Sequence, residues 1–541
     1  MLDHTFANSI DQTGSRIFYA VAAAENLLVF GADVSNAFGE APPPKQGFYI
    51  RPDKAFSEWF MARYGKKIPE GYVVPVLAAM QGHPESPRLW EKHCDRILRK
   101  IGLVPTTHEP CIYSGQIETV RVYFKRQVDD FAVACPEERI ATIIFDAIDA
   151  ELQMPIKRQG LVTLFNGLDV LQSRWYIKIY VNTYLTKTLQ PYFDDWLDVP
   201  SKPYPVPLGT NEKFHTELYK AIGDPDVKVQ AALSKRMGFG YRKAIGELIW
   251  PMTTCRPDLA QAVVKCSQAS AAPTETHYNA IKSIFRYLAA TPNDGIYFWR
   301  TAPRDDLPDD ALPTINSTPH DLRLLGRPKE NALNLAGYMD LSWGDCLITR
   351  RSTGGVCFRL AGGPVAWKGQ LLPTVALSST EAEYMEATVA GRMSLYIRSI
   401  LWDLNIPQEA ATILYEDNNG ATAMANAGKP TSRSRHIDIK YYAIQEWIER
   451  DLIILQRIDT ALNMADHYTK PLPRILFHRH NDFNMGRVPP TYSPKYQDCL
   501  RSHAVTTTGT TTKQKQYTAR AAKTTAPWDI IVLSLHGSTF T

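Results

Sequence analysis

The chain runs to 541 residues, of which 44% are hydrophobic and 21% charged. That length holds several hydrophobic cores, three or four compact units in all, and that balance excludes a wholly disordered or fibrous chain. A net charge of +4 is compatible with nucleic-acid binding through local basic faces and does not by itself argue for it.

In chain order, residues 18–28 are Ala-rich and predict a helix, and residues 27–33 predict an apolar strand ending on Asp33. Pro42-Pro43-Pro44 marks a loop. Residues 73–80 are strand-like, and residues 87–101 predict a helix with apolar positions Leu89, Trp90, Ile97, Leu98 and Ile101. Residues 120–128 and 131–135 read as two strands joined tightly at Asp129-Asp130, a β-hairpin. From 191 to 330 the pattern is largely helical, at 241–252, 257–268 and 275–290, with Pro- and Asp-rich linkers at 203–208 and 301–319. A third unit at 331–486 carries strands at 335–339, 412–415 and 453–458. Its long helix is announced by the capping-box pattern Ser378-Ser379-Thr380-Glu381. Beyond Gly486 the chain turns Thr-, Lys- and Ala-rich, with too little apolar surface to offset ordering, so 487–541 is predicted to be a disordered tail.

The eight cysteines are scattered, with no Cys-x-x-Cys and no Cys/His cluster. They read as reduced thiols of a cytosolic or nuclear protein, neither a disulfide frame nor a zinc site. No run approaches the ~20 apolar residues that span a bilayer, and Met1-Leu2-Asp3-His4 does not open a signal peptide. No membrane partner is expected.

Two groups of acids carry the chemistry. Asp340, Glu383, Asp417 and Asp466 each stand where an element starts or ends, in a β-β-β-α-β-α-β-α order. A fold that converges them would make an all-oxygen site suited to Mg²⁺, and a pair of such ions can clamp the attacking and leaving oxygens of a phosphodiester. The plainer alternative is four unrelated surface acids. The second group is Asp129 and Asp130 at the hairpin tip, with Asp33 at an upstream strand end. Asp is common in turns, but three clustered carboxylates repel one another unless a divalent cation neutralises them.

Residues Gly337 to Pro473 resemble the ribonuclease H domain of copia-type long-terminal-repeat retrotransposons. The resemblance rests on Gly337-Tyr338-Met339-Asp340, Arg351-Ser352-Thr353-Gly354-Gly355, the run from Val375 to Tyr384, Glu416-Asp417-Asn418, His436-Ile437-Asp438 and Ala465-Asp466-His467-Tyr468-Thr469-Lys470. It implies that Asp340, Glu383, Asp417 and Asp466, and not Glu381, are the metal ligands. Upstream, the chain resembles the copia-type reverse transcriptase. Asp33-Val34 with Ala37-Phe38 fits the first catalytic motif and Val128-Asp129-Asp130 the second. Gly82 with Ser86-Pro87-Arg88-Leu89-Trp90, Glu109-Pro110-Cys111-Ile112-Tyr113, and Asn166-Gly167-Leu168-Asp169-Val170 at the primer-gripping hairpin fit other stretches. Together the two resemblances cover about residues 5–486.

What this implies is an α+β multidomain protein: a reverse-transcriptase palm at 1–190, a helical thumb and connection at 191–330, and an α/β ribonuclease H-like domain at 331–486. It implies an RNA-directed DNA polymerase with ribonuclease H activity. Asp33, Asp129 and Asp130 would hold Mg²⁺ (or Mn²⁺) in one site, and Asp340, Glu383, Asp417 and Asp466 in the other. The implied partners are an RNA template, a DNA primer, dNTPs and an RNA–DNA hybrid, in the cytoplasm, in virus-like particles or in the nucleus. Phe38 matches the position whose ring excludes a 2′-hydroxyl, and Arg88, Gln127 and His436 are the other expected substrate-binding residues. Two departures stand out: Gln127 replaces the family's usual Tyr, and Gln81-Gly82-His83-Pro84-Glu85 replaces Tyr-Gly-Leu-Lys-Gln. The chain opens close to the first catalytic motif, so the family's fingers segment is expected to be missing. The alternative is therefore a truncated relic whose polymerase is inactive and which retains only ribonuclease H activity or nucleic-acid binding.

Overall fold

Apolar alternation and turn chemistry build three main sheets around one buried helix. The computed structural model describes residues 5–197, 205–318, 331–426 and 438–501. That central helix, Gln12–Ala24, starts where the Asp11 side chain accepts from the Thr13 amide at 3.2 Å. It is buried from Gly14 to Ala24, with Ser15 and Arg16 among the buried residues. It starts six residues earlier than the Ala-rich run predicts, because Asp11 supplies the cap.

The strands in chain order are β1 (Leu28–Asp33), β2 (Tyr49–Ile50), β3 (Val74–Pro75), β4 (Val104–Pro105), β5 (Ile112–Ile117), β6 (Val120–Gln127), β7 (Asp130–Cys135), β8 (Lys157–Leu161), β9 (Leu164–Phe165), β10 (Leu168–Gln172), β11 (Tyr176–Tyr180), β12 (Gly295–Trp299), β13 (Ala336–Ser342), β14 (Thr353–Leu360), β15 (Gly363–Leu371), β16 (Thr412–Glu416) and β17 (Ile453–Arg457). The first sheet has the order β4-β5-β6-β7-β1-β8. The hairpin expected at 120–135 is there, but its two-residue turn is Val128-Asp129, because Gln127 pairs with Asp130. Val128 sits at φ 54°, an outlier for a β-branched residue, and the Trp90 indole donates to its carbonyl at 2.6 Å. The strand expected at 73–80 shrinks to β3, paired only with β2, since Pro75 cannot donate to a continuing ladder. The second sheet is β12-β11-β10-β9. Its β9–β10 hairpin turns on Asn166 and Gly167, both at positive φ (49° and 74°), the left-handed pair that an Asn-Gly turn supplies.

The third sheet runs β15-β14-β13-β16-β17, antiparallel through β15, β14 and β13 and parallel through β13, β16 and β17. Helix Ser379–Asp403 follows β15. Its cap forms as the sequence predicts, the Ser378 hydroxyl accepting from the Glu381 amide at 3.1 Å, while the Glu381 carboxylate reaches back to Leu377 N at 2.8 Å. Helices Tyr241–Thr254, Ala260–Ser267 and Glu275–Ala290 occupy the expected helical stretch.

The described residues up to Tyr496 form one compact unit. The first residues of the expected tail are packed within it. Arg487 is buried because its guanidinium pairs with Asp482 at 3.0 Å and Asp294 at 2.5 Å, and Val488 is buried beside it. Residues 502–541 lie outside the described residues. All eight cysteines are free and buried. Among the described residues no helix is long and apolar enough to cross a membrane.

Candidate active sites

The parallel pairing of β13 with β16 sets Tyr338 opposite Tyr415. Two residues further along each chain, Asp340 and Asp417 therefore emerge at the same end of neighbouring strands, on one face. Asp340 lies within β13, which runs on to Ser342 paired with Thr353, so it does not close its strand as the sequence suggested. Glu383 enters from the first turns of helix Ser379–Asp403. Oxygens of Asp340, Glu383 and Asp417 all lie within 4.8 Å of one another, the only such group of three or more among the described residues. Asp340 is 2% exposed and Glu383 5%.

Asp466 opens the short helix Asp466–Thr469. The preceding loop is pinned to β13 by the Asn463 amide, which donates to the Met339 carbonyl at 2.8 Å. The Thr469 hydroxyl donates to Asp340. Lys470 then reaches both acids, its Nζ 2.7 Å from Asp466 and 3.6 Å from Asp340. All four acids expected from the sequence thus face one site, although Asp466 stands outside the tight group of three.

Two further carboxylates escaped the sequence reading. Glu386, three residues after Glu383 on the same helix face, and Glu416, next to Asp417, are fully buried. Spacing alone could have signalled Glu386. Among the described residues no hydrogen-bond partner reaches either Glu386 oxygen, one oxygen of Glu416, or one of Glu383. A β-carbon at Gly354 would meet the end of the Glu386 side chain, which would have to shift to make room. Burial, then repulsion from Glu416, Asp340, Asp417 and Glu386, pushes the Glu383 carboxyl up to about 11. Burial and Asp340 push Asp466 up to about 8 against the pull of Lys470, and burial pushes Glu386 up to about 8. Crowded acids of this kind hold protons or take up a cation. An all-oxygen, partly unsatisfied donor set is the chemistry a hard divalent ion needs.

The second acidic site is more open. Antiparallel pairing of β1 with β7 sets Asp33 opposite Asp130, and Val34 N donates to the Asp129 carbonyl at 2.9 Å. Asp33 lies 3.9 Å from the Lys157 ammonium. The Asp130 carboxyl is raised, first by burial, then by Asp129 and Asp33, against a hydrogen bond from the Asn166 backbone. Behind it the buried Lys125 ammonium rests on the Tyr19 and Phe165 rings at 3.7 and 4.1 Å. Phe38 is half-buried in the short helix Ala37–Glu40 and packs against the core. Gln127 and Arg88 hold the N-terminal segment. The Gln127 side-chain oxygen accepts from Ile10 N at 2.8 Å, and Arg88 donates to the Phe6 carbonyl at 3.4 Å. His436 lies outside the described residues.

No family model matches the chain. The retrovirus-related Pol polyprotein of transposon TNT 1-94 from Nicotiana tabacum is 25% identical over 476 residues, covering 88% of this chain and 32% of that protein. That of transposon RE1 from Arabidopsis thaliana is 26% identical over 493 residues, covering 90% of this chain and 29% of the relative. The chain's homologues over about nine-tenths of its length are thus copia-type retrotransposon Pol polyproteins, and it spans about a third of the length of these curated relatives. A solved foamy viral protease–reverse transcriptase in complex with double-stranded DNA is matched over 82% of this chain and 60% of that one, at 12% identity and a TM-score of 0.17, a likeness too slight to bear on the fold.

Proposed function

We propose that this chain is an RNA-directed DNA polymerase with ribonuclease H activity, working at two carboxylate sites. The observation that carries the nuclease half is the convergence of Asp340, Glu383 and Asp417 within 4.8 Å, with Asp466 tied to Asp340 through Lys470. Mg²⁺ or Mn²⁺ held by these acids would supply activation of water and charge stabilisation at the scissile phosphate. The chain's own residues position it. Asn463 and Thr469 fix the orientation of β13 and Asp340, and Ser378 fixes the helix turn that delivers Glu383. Preference for the RNA strand of a hybrid follows from 2′-hydroxyl and shape readout in the A-like groove.

In the polymerase half, Asp33 and Asp129 would hold the cations with Asp130 in support, and the half-buried Phe38 would stand against the sugar of the incoming nucleotide. RNA template, DNA primer and dNTPs are the matching partners. One observation favours the narrower reading, nuclease alone: Asp33, Asp129 and Asp130 do not bring three ligand oxygens together as the nuclease acids do.

Primer extension on poly(rA)–oligo(dT), run beside hybrid cleavage on the same preparation, tests both halves. Both activities are expected in Mg²⁺. Cleavage without extension would reduce the proposal to its nuclease half, and neither activity would overturn it.

A further inference from the structure

The site that the nuclease reading rests on contains a cation of its own. Lys470 follows Asp466 by four residues at the end of the short helix, and Pro471 stops any continuation. Its ammonium lies 2.7 Å from Asp466 and 3.6 Å from Asp340. The position is selective: among the described residues it is the one ammonium or guanidinium within ion-pair distance of any of the four acids. It pairs with Asp466 and Asp340, whereas Glu383 and Asp417, whose oxygens lie within 4.8 Å of those of Asp340, have no such ion pair among the described residues. The side chain remains 37% exposed, so a path to solvent is open.

We propose that Lys470 is a built-in counter-cation of the nuclease site, seated between Asp340 and Asp466, so that a divalent ion held by those two acids would have to displace it. The inference rests on the nuclease reading, since it supposes that these acids take a divalent ion. An ammonium offsets the two carboxylates with a single charge, in close ion-pair contact with Asp466 and at longer range with Asp340. A divalent ion brings twice the charge but must drive the tethered amine off, which weakens uptake at those two acids alone. Lys470 is thus a positioning residue: it holds Asp340 and Asp466 in place before loading and sets how tightly the second ion binds.

The test uses the full chain with Mn²⁺ alone as the probe, followed by isothermal titration calorimetry, with melting in chelator as a second readout. Lys470→Met keeps the stem and removes the charge, and Lys470→Arg keeps the charge. Lys470→Met should melt lower in chelator yet bind its weaker Mn²⁺ about tenfold tighter, as the loss of a close like charge requires. Lys470→Arg should bind no tighter than wild type. The gain must also vanish in an Asp466→Asn background, because a bridged pair is non-additive. An equal gain in that background would mean the charge acts from a distance and would overturn the proposal, as would unchanged or weaker Mn²⁺ binding by Lys470→Met. If the wild-type chain takes up no Mn²⁺ at all, it is the reading of the four acids as a metal site that fails, and the proposal falls with it.

Discussion

Arg16→Met should weaken the whole body, because one guanidinium joins three parts of it. Arg16 is 4% exposed on the central helix. Its Nε donates to the Val365 carbonyl at 2.7 Å, and its Nη1 donates to the Thr253 and Thr254 carbonyls at 2.6 and 3.0 Å. Each acceptor is one that secondary structure leaves free. Val365 is the extra residue of a bulge, since Arg359 pairs with Pro364 and Phe358 with Ala366. Thr253 and Thr254 end helix Tyr241–Thr254, where carbonyls lack intrahelical partners and a cation is favoured. The guanidinium also stacks on Trp367 at 4.0 Å. Stranding three buried carbonyls at about 1.5 kcal/mol each and losing a desolvated cation–π contact of about 2 kcal/mol together cost roughly 6–7 kcal/mol. Against this stands the burial of the charge, which holds the Arg16 pKa down to about 10 from 12.5, or about 3 kcal/mol at 1.36 per unit. The net loss is roughly 3–4 kcal/mol, a drop of several degrees in melting temperature for a chain of this size. Thermal unfolding followed by circular dichroism measures it. Arg16→Lys, a point donor without the planar fork, should fall between. Melting of Arg16→Met within a degree of wild type would show that these contacts do not join the parts.

Asp129→Asn should abolish primer extension and spare hybrid cleavage, while Glu383→Gln does the reverse; either substitution abolishing both activities in a folded protein would refute two independent sites. In chelator, the melting temperature should fall as pH rises from about 5 to 9. The carboxyls of Asp466, Glu386 and Glu383 are raised in the fold, so their contribution is complete below their unfolded values and is lost as pH climbs through their folded ones. Mg²⁺ should flatten that slope by binding the charged forms, and a slope unchanged by Mg²⁺ would contradict the assignment. Phe38→Val should admit ribonucleotides by opening the space a 2′-hydroxyl needs; unchanged discrimination in a variant that still polymerises would assign the ring to the core alone.

Much of this fold was legible because its signals are local. The Asn166-Gly167 turn, the Ser378 cap and the 275–290 periodicity each specify geometry from a few neighbouring residues. The convergence of Asp340, Glu383, Asp417 and Asp466 was legible because each is fixed by its own element, and parallel register then brings Asp340 and Asp417 together. What escaped was long-range. Nothing local in Arg16 tells that a bulge at Val365 and a helix end at Thr254 await it, and Glu416 looks like any acid beside Asp417 until burial strips its solvent. The turn at Val128-Asp129 was displaced by one residue from the expected Asp129-Asp130 because the Trp90 indole, distant in sequence, holds the Val128 carbonyl in a conformation its side chain disfavours. Gln127 and Arg88, read from the resemblance as substrate-binding, also contact the segment from Phe6 to Ile10, a pairing that sequence distance conceals.

The central claim is that the acids around Asp340 form a metal-dependent nuclease for RNA paired with DNA. Cleavage of an end-labelled RNA strand, annealed to DNA and in parallel to RNA of the same sequence, tests it most directly. The wild-type chain in Mg²⁺ should cut the hybrid and spare the RNA duplex, lose the activity in EDTA, and lose it in Mg²⁺ when Glu383 is replaced by Gln. Cleavage that persists in EDTA or in folded Glu383→Gln, or that falls equally on both duplexes, would contradict it.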